Sequence, residues 1–213
     1  MHRWPRLLSW VLVSAMFIAG ALAWPAAPES IPVHWNLAGE ANRFGGKFEG
    51  LLLLPIITLA VLIGLTLLPH IDPRRERYAE FEGAFEVLKL LIVAFLAAVY
   101  AAMLAAVFGA TLNMTRVVLP LVGVLLIGIG AVIGQVRPNW FVGIRTPWTL
   151  SSERAWSATH RAGRWVFIAM GAAMLLAGLA DSGWALYSAL LLCVAGVVGL
   201  VVYSYVVWRQ DPH

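Results

Sequence analysis

Six long apolar runs divide this chain, and the segments between them hold most of its polar residues. The runs cover residues 7–24, 51–68, 84–110, 117–136, 165–180 and 184–208. A helix of about 20 apolar residues crosses the ~30 Å hydrocarbon layer of a membrane. The pattern therefore predicts six transmembrane helices. The fifth run is the shortest, so we expect its helix to extend upstream to Arg164 or beyond.

The first run also has features of a secretory signal. Arg3 and Arg6 precede it, and residues 21–23 (Ala-Leu-Ala) resemble a cleavage site. However, the run is 18 residues long, and the apolar core of a signal peptide has about 7–15 residues. We therefore expect the helix to be retained.

Composition supports a membrane protein. Apolar residues make up 61% of the chain and charged residues only 12%, whereas a soluble domain has about 25% charged residues. The net charge of +4 does not predict direct nucleic acid binding, because the basic residues are spread over the ends of the runs. The predicted fold class is all-α, a polytopic membrane helical bundle. Residues 1–116 would form one three-helix region and residues 117–213 a second.

Basic residues predict the orientation of this bundle. Alternating helices would place on one face 11 arginines: Arg3, Arg6, Arg74, Arg75, Arg77, Arg137, Arg145, Arg154, Arg161, Arg164 and Arg209. The other face would have only Arg43, Lys47 and Arg116. Cytoplasmic loops carry the excess of Lys and Arg. We therefore expect the arginine-rich face and both termini to be cytoplasmic.

The third run is preceded by a charged helix start. Asp72 and Pro73 are typical of an N-cap followed by the first helical position. Further on, Glu82, Glu86 and Lys89 are spaced so that opposite charges can pair near the membrane surface. We interpret them as a paired helix end whose lysine snorkels to the surface, rather than as a charged relay.

Catalytic chemistry is not indicated by the remaining residues. Deep inside the runs there is no Asp, Glu, Arg or His, and such groups usually mark ion or proton pathways. Cys193 is a lone cysteine, and His34 and His160 would face opposite compartments. We therefore predict no catalytic residue, no metal, no cofactor and no enzyme activity.

The segment between the first and second helices, residues 25–50, is the predicted extracytoplasmic loop. Pro32 and several turn-forming residues predict a compact, irregular cap. One interpretation is a contact surface for an external peptide or lipid head group, and the other is a structural plug over the helix ends. The candidate contact residues are His34, Trp35, Asn36, Gly39, Asn42 and Lys47.

The predicted cytoplasmic loop, residues 137–164, is richer in polar residues. Pro147 favours an extended Thr146, and Thr149 or Ser151 can cap a following helix. On that helix Glu153, Trp156 and His160 share one face, while Arg154 and Arg161 share another. A tryptophan between an acid and a histidine suits a helix that lies along the membrane surface. The Glu–His pair lacks a nucleophile or a set of metal ligands.

A long mixed motif, N-x-x-x-G-I-R-T-P-W-T-L-S-S-E-x-x-W-x-x-T-H-R, starts at Asn139. It resembles the signature of the SdpI family of bacterial immunity proteins. The earlier run I-P-V-H-W-N-x-x-G-E, followed by L-P-I and I-D-P-R-R, resembles the uncharacterised membrane domain that often precedes that signature. Together the two resemblances span roughly residues 10–205.

The resemblance implies a six-helix membrane protein that protects its producer from a secreted toxic peptide and can sequester a cytoplasmic repressor at the membrane. Its partners would be membrane lipids, a toxic peptide outside and a repressor inside. The motif and partner-contact candidates are Asn139, Gly143, Arg145, Thr146, Pro147, Glu153, Arg154, Trp156, His160 and Arg161. Because Arg145, Trp156 and His160 have no role in membrane insertion, we expect them to serve function. The alternative is a small-molecule or peptide transporter with 3+3 inverted topology.

The orientation leads to a first testable prediction. A reporter that is active only in the cytoplasm should be active when fused to the C-terminus and inactive when fused after Gly39, because the positive-inside rule puts these positions on opposite sides. Reporter activity in cells expressing each fusion at equal abundance is the measurement. An active Gly39 fusion would contradict the orientation.

Overall fold

All six predicted transmembrane helices are present in the structure, a computed structural model that describes residues 3–180 and 182–211. Each is long and apolar enough to cross a membrane. The spanning helices are α1 (Arg3–Ala23), α2 (Leu54–Ile71), α3 (Glu82–Val107), α4 (Met114–Ile133), α6 (Glu153–Leu179) and α7 (Gly183–Arg209), and a short helix, α5 (Pro147–Ser151), precedes α6. As expected, the fifth spanning helix, α6, starts well before Arg164.

A two-stranded antiparallel hairpin lies between α1 and α2, where we expected an irregular cap. Its strands are β1 (Ile31–Trp35) and β2 (Ala41–Gly45). Asn36 closes the turn, since its backbone N–H donates to the Glu40 carbonyl at 2.9 Å and its side-chain oxygen accepts from the Glu40 N–H at 3.0 Å. A π-helical turn, Glu49–Leu53, then leads into α2. We call this end of the bundle the hairpin end, and the end that holds residues 137–153 the motif end.

Asp72 does not start the third helix, contrary to our prediction. It is instead the C-terminal cap of α2, and the segment that follows, Arg75–Phe81, is a 3-10 helix that leads into α3. The Asp72 carboxylate accepts hydrogen bonds from the Arg74 N–H at 2.7 Å and the Trp140 N–H at 3.0 Å. Its side chain therefore bonds to the distant loop at the motif end, residues 137–153, which we call the motif loop. The spacing of residues near Asp72 cannot reveal this contact.

The charged start of α3 is paired but does not snorkel. Glu86 and Lys89 are each 3% exposed, and the Lys89 ammonium lies 2.8 Å from a Glu86 carboxylate oxygen. Glu82 pairs instead with Arg6 of α1 at 3.0 Å. The lysine is held inside the bundle because its partner, Glu86, is itself buried between helices.

Helix packing differs between the two halves of the chain. In the first half α1 packs mainly on α3, whereas in the second half α4 packs mainly on α6, and α3 contacts α4 to join the halves. The α4–α6 contact is close: a Cβ added to Gly123 would lie 2.6 Å from the Gly171 carbonyl oxygen, and one added to Gly171 would lie 2.5 Å from that of Gly123. Such small residues allow the backbones of membrane helices to approach.

The close α4–α6 contact leads to a second prediction. Replacing Gly171 by Ala should lower the free energy of unfolding by roughly 1–3 kcal/mol, because the added methyl group meets backbone that cannot move aside. The thermal unfolding midpoint in detergent is the measurement. Gly199→Ala on α7 is the matched control, since no atom lies within 4 Å of the Cβ it would add. Equal midpoints for the two variants would mean that the contact is not tight.

Candidate functional site

The motif loop is organised around the Asn139 side chain, which is fully buried. Its amide nitrogen donates to the carbonyls of Arg137 and Val142, both at 2.8 Å. Its amide oxygen accepts from the N–H groups of Phe141 at 2.9 Å and Val142 at 2.6 Å. One side chain thus satisfies four backbone groups that a buried turn would otherwise leave unpaired.

His160 continues this network from the first turns of α6. Its Nε2 accepts the N–H of Ile144 at 3.0 Å, and its Nδ1 lies 2.8 Å from the Trp156 carbonyl. A ring that accepts at Nε2 donates from Nδ1, so the imidazole is neutral here. Gly143 has a φ of +123°, and a Cβ at this position would overlap the His160 ring. Glycine at this position is therefore a requirement of the loop conformation.

Trp156 ties α6 to the end of α4. Its indole N–H donates to the Val136 carbonyl at 2.8 Å, and its ring stacks on His160 with centroids 4.2 Å apart. The side chain is 1% exposed and belongs to the same core cluster as Tyr78, Phe81 and Phe85. We expected this helix to lie along the membrane surface with its apolar edge, including Trp156, toward the membrane. That expectation is wrong, because Trp156 is covered by protein and α6 runs on into the bundle.

Two short caps shape the loop between Asn139 and α6. Thr146 caps α5, with its hydroxyl accepting from the Thr149 N–H and the Thr149 hydroxyl accepting from the Thr146 N–H. Ser152, rather than Thr149 or Ser151, caps α6 by accepting from the Ala155 N–H at 2.9 Å. Glu153 lies in the first turn of α6, as predicted. Threonine followed by Pro147 was a signal for the first cap, since proline is common at the first helical position.

Contacts with the 3-10 segment join the motif loop to the first half of the chain. The Tyr78 hydroxyl lies 3.0 Å from the Asp72 carboxylate and 3.4 Å from the Asn139 amide oxygen. Glu153 accepts from Arg77 at 2.5 Å. Tyr78 and Asp72 are site residues that our sequence analysis missed, because the chain separates them widely from Asn139.

The predicted motif residues fall into two groups. Those in the interior or half-buried are Asn139, Gly143, Thr146, Trp156 and His160, and those at the surface are Arg145, Pro147, Glu153, Arg154 and Arg161. Arg145 donates to the Trp140 carbonyl at 2.7 Å, and Arg154 approaches the Gln210 carbonyl at 3.3 Å and the Asp211 carboxylate at 3.9 Å. Only the surface group is placed to touch a partner, so contact remains a prediction for these residues.

At the hairpin end, the turn of the hairpin is fastened to the start of α4. The Asn113 amide donates to the Ala38 carbonyl at 2.8 Å, and the Thr115 hydroxyl donates to the Leu37 carbonyl at 3.1 Å. Gly39 has a φ of +82°, and its carbonyl accepts from Met114 at 3.3 Å. The hairpin is therefore held in place over the helix ends.

Under the hairpin lies an apolar groove of about 460 Å³. Three predicted contact residues, His34, Trp35 and Asn36, line one wall, and side chains from α2, α3 and α4 line the other. Asn42 lies beside the groove, with its amide oxygen 2.6 Å from His34 Nδ1. Lys47 lies apart, paired with Glu29 at 3.2 Å. The six predicted residues thus share the hairpin end, but only half of them line one surface.

Among residues 3–180 and 182–211, no group of three His, Cys, Asp or Glu side chains is placed to hold a metal ion.

The six spanning helices and their buried motif define a multi-pass cell membrane protein. Residues 135–204 match the model of the SdpI/YfhL protein family, and residues 11–59 match the Domain of unknown function DUF1648. The resemblance noted in the sequence is thereby confirmed. Immunity protein SdpI of Bacillus subtilis (strain 168) is 22% identical over 165 residues, which cover 78% of this chain and 77% of that protein. No solved structure gives a significant match.

Buried contacts in the motif lead to a third prediction. Trp156→Ala should cost roughly 3–5 kcal/mol of stability by leaving a cavity. His160→Ala should cost about 1–3 kcal/mol, because it leaves the Ile144 N–H without an acceptor. Membrane abundance and the unfolding midpoint are the measurements, and the exposed Arg161→Ala is the control. If both variants reach normal abundance but lose function, the structural role is contradicted. Trp156 and His160 would then serve function, as we expected from the sequence.

Proposed function

We propose that this protein is an immunity protein that protects the cell carrying it from a secreted toxic peptide. Support comes from its similarity to Immunity protein SdpI, which extends over 78% of the chain. The two matched domain models cover the hairpin (residues 11–59) and the motif (residues 135–204). The observation that carries the proposal is the groove under the hairpin, because it offers an apolar surface at a membrane end of the bundle.

The peptide would bind in that groove. Its walls are formed largely by apolar groups, including Val99 and Met103 of α3 and Met114 of α4. Methionines adapt their shape to varied apolar partners. The polar edge of His34 and Asn36 would then orient the peptide backbone. Trp35 supplies the large aromatic surface that often dominates a protein interface.

Access to the groove depends on orientation. With the arginine-rich motif end in the cytoplasm, as the distribution of basic residues predicts, the hairpin end faces outward. A secreted peptide would then meet the hairpin before it reaches the rest of the protein. Protection would consist of holding the peptide at this surface, away from its target in the membrane.

Capture of a repressor would use the opposite, motif end. Arg145, Arg154 and Arg161 are exposed there and remain charged at any physiological pH. An acidic surface of a cytoplasmic protein would complement them. The contact would weaken with salt, because exposed charges are screened beyond about 8–10 Å at physiological ionic strength.

The transporter alternative receives no support from the packing. An inverted repeat would place corresponding helices in corresponding contacts. Here α1 packs mainly on α3, while the corresponding pair in the second half, α4 and α7, is not the main contact. Immunity therefore remains the function that we propose.

A fourth prediction tests the groove. Trp35→Ala should reduce protection roughly tenfold, because a buried aromatic anchor typically contributes more than 1 kcal/mol to binding. The assay is survival of a host that lacks its own copy, complemented with each variant and exposed to supernatants of toxin-producing relatives. Membrane abundance is measured in parallel.

Phe44→Ala is the matched control, since Phe44 is an exposed aromatic residue of the same hairpin that does not line the groove. Full protection by Trp35→Ala, or an equal loss in both variants, would place peptide contact elsewhere. The wild-type protein could also fail to protect against every supernatant and yet carry a substrate across vesicle membranes. That result would favour transport.

A further inference from the structure

A second cavity, of about 390 Å³, lies at the motif end between α1, α2 and α3. Its rim is exposed and includes Arg6, His70 and Glu82, and its floor is buried and includes Glu86 and Lys89. No residue of the hairpin groove lines this cavity, which lies at the other end of the bundle. Its floor carries the buried charges that the sequence analysis interpreted as a snorkelling helix end.

The two carboxylate oxygens of Glu86 differ in the hydrogen bonds that they accept. Oε1 accepts from Arg6 Nε at 3.2 Å, Arg6 Nη2 at 2.9 Å and Lys89 Nζ at 2.8 Å. Oε2 is buried and has no hydrogen-bond partner among the described residues. A buried carboxylate oxygen without a donor is costly. The floor of the cavity therefore includes a carboxylate oxygen that lacks a hydrogen-bond donor in the described part of the chain.

Charge balance restricts what this donor can be. Two cations, Arg6 and Lys89, face two carboxylates, Glu82 and Glu86, and Arg6 Nη2 bridges both carboxylates. The four residues, which we call the Glu86 cluster, are already neutral as a group. A simple cation would leave an excess positive charge beside the buried Glu86–Lys89 pair. A ligand that brings an ammonium together with an anion keeps the balance.

The surroundings offer a place for that anion and for an apolar body. Arg6 also lines a second, apolar groove of about 500 Å³, together with Arg3, Trp4, Leu7 and Trp10. Arginine is well suited to hold a phosphate, and tryptophan favours the depth of lipid head groups. Both cavities lie where α1 begins, and therefore where a membrane protein meets lipid head groups.

We propose that the Glu86 cluster and the adjacent groove form a binding site for a phospholipid with a phosphoethanolamine head group. The primary ammonium donates to the carboxylates of Glu82 and Glu86. The phosphate lies against Arg3 and Arg6, and an acyl chain follows Trp4 and Trp10. A choline head group cannot replace it, because its trimethylated nitrogen has no N–H to donate.

The experiment compares lipids of identical acyl chains. The full-length protein is placed in nanodiscs containing equal amounts of phosphatidylethanolamine, phosphatidylcholine and phosphatidylglycerol, and the lipids retained after transfer to detergent are counted by native mass spectrometry. We expect phosphatidylethanolamine to be retained roughly tenfold over phosphatidylcholine, the ratio typical of one hydrogen bond to a charged group. Stepwise N-methylation of the head group should reduce retention progressively.

Variants separate this site from general lipid association. Glu82→Gln removes an exposed carboxylate but leaves the buried Glu86–Lys89 pair intact, so the protein should fold and lose most of the preference. Glu86→Gln should lose it as well. Glu76→Gln is the control, because Glu76 is exposed on the adjacent 3-10 helix and does not line the cavity.

Four outcomes would overturn the proposal. The first is equal retention of the ethanolamine and choline lipids. The second is strongest retention of phosphatidylglycerol, which would show that the arginines alone recruit lipid. The third is a wild-type preference in a folded Glu82→Gln variant. The last is displacement of the lipid by free phosphoethanolamine at equal concentration, which would show that the lipid body does not contribute.

Discussion

The buried carboxylate of Asp72 is the interaction on which the arrangement of the two halves depends. It accepts hydrogen bonds from the Tyr78 hydroxyl and the Trp140 N–H, and so joins the end of α2 to the motif loop. A buried carboxylate must be hydrogen-bonded or paired. Separating the two halves at this junction would therefore cost free energy, because Asp72 would lose a hydrogen-bond donor. The neighbouring aromatic cluster of Tyr78, Phe81, Phe85 and Trp156 then fills the space around it.

Helix α3 contributes residues to both ends of the molecule. At the hairpin end it contributes Val99 and Met103 to the proposed peptide groove. At the motif end it contributes Phe85 to the core that contains Trp156, and Glu86 to the proposed lipid site. A peptide in the groove and a lipid at the Glu86 cluster would therefore both contact α3.

The motif residues have a different role in the structure from the one that we predicted from the sequence. Asn139, Trp156 and His160 are polar or amphipathic, which is typical of contact residues, yet their hydrogen-bonding groups are directed at backbone atoms of the loop itself. Their role is to build a rigid platform at the membrane surface. Arg145, Arg154 and Arg161 lie at the surface of that platform and are exposed, so they are the residues that we propose for partner recognition.

The sequence by itself determined the six helices, their approximate limits and the membrane environment, because these depend only on the local density of apolar residues. It also indicated the two polar segments and the pairing of Glu86 with Lys89, which are one turn apart. Only the tertiary structure decided that Asp72 bonds to Trp140, that Lys89 is buried, and that residues 31–45 form a hairpin over a groove. The Asp72 contact, the burial of Lys89 and the position of the hairpin over the groove arise from contacts between segments far apart in the chain or on different helices. No local pattern of residues carries that information, since packing sets which distant groups must satisfy one another.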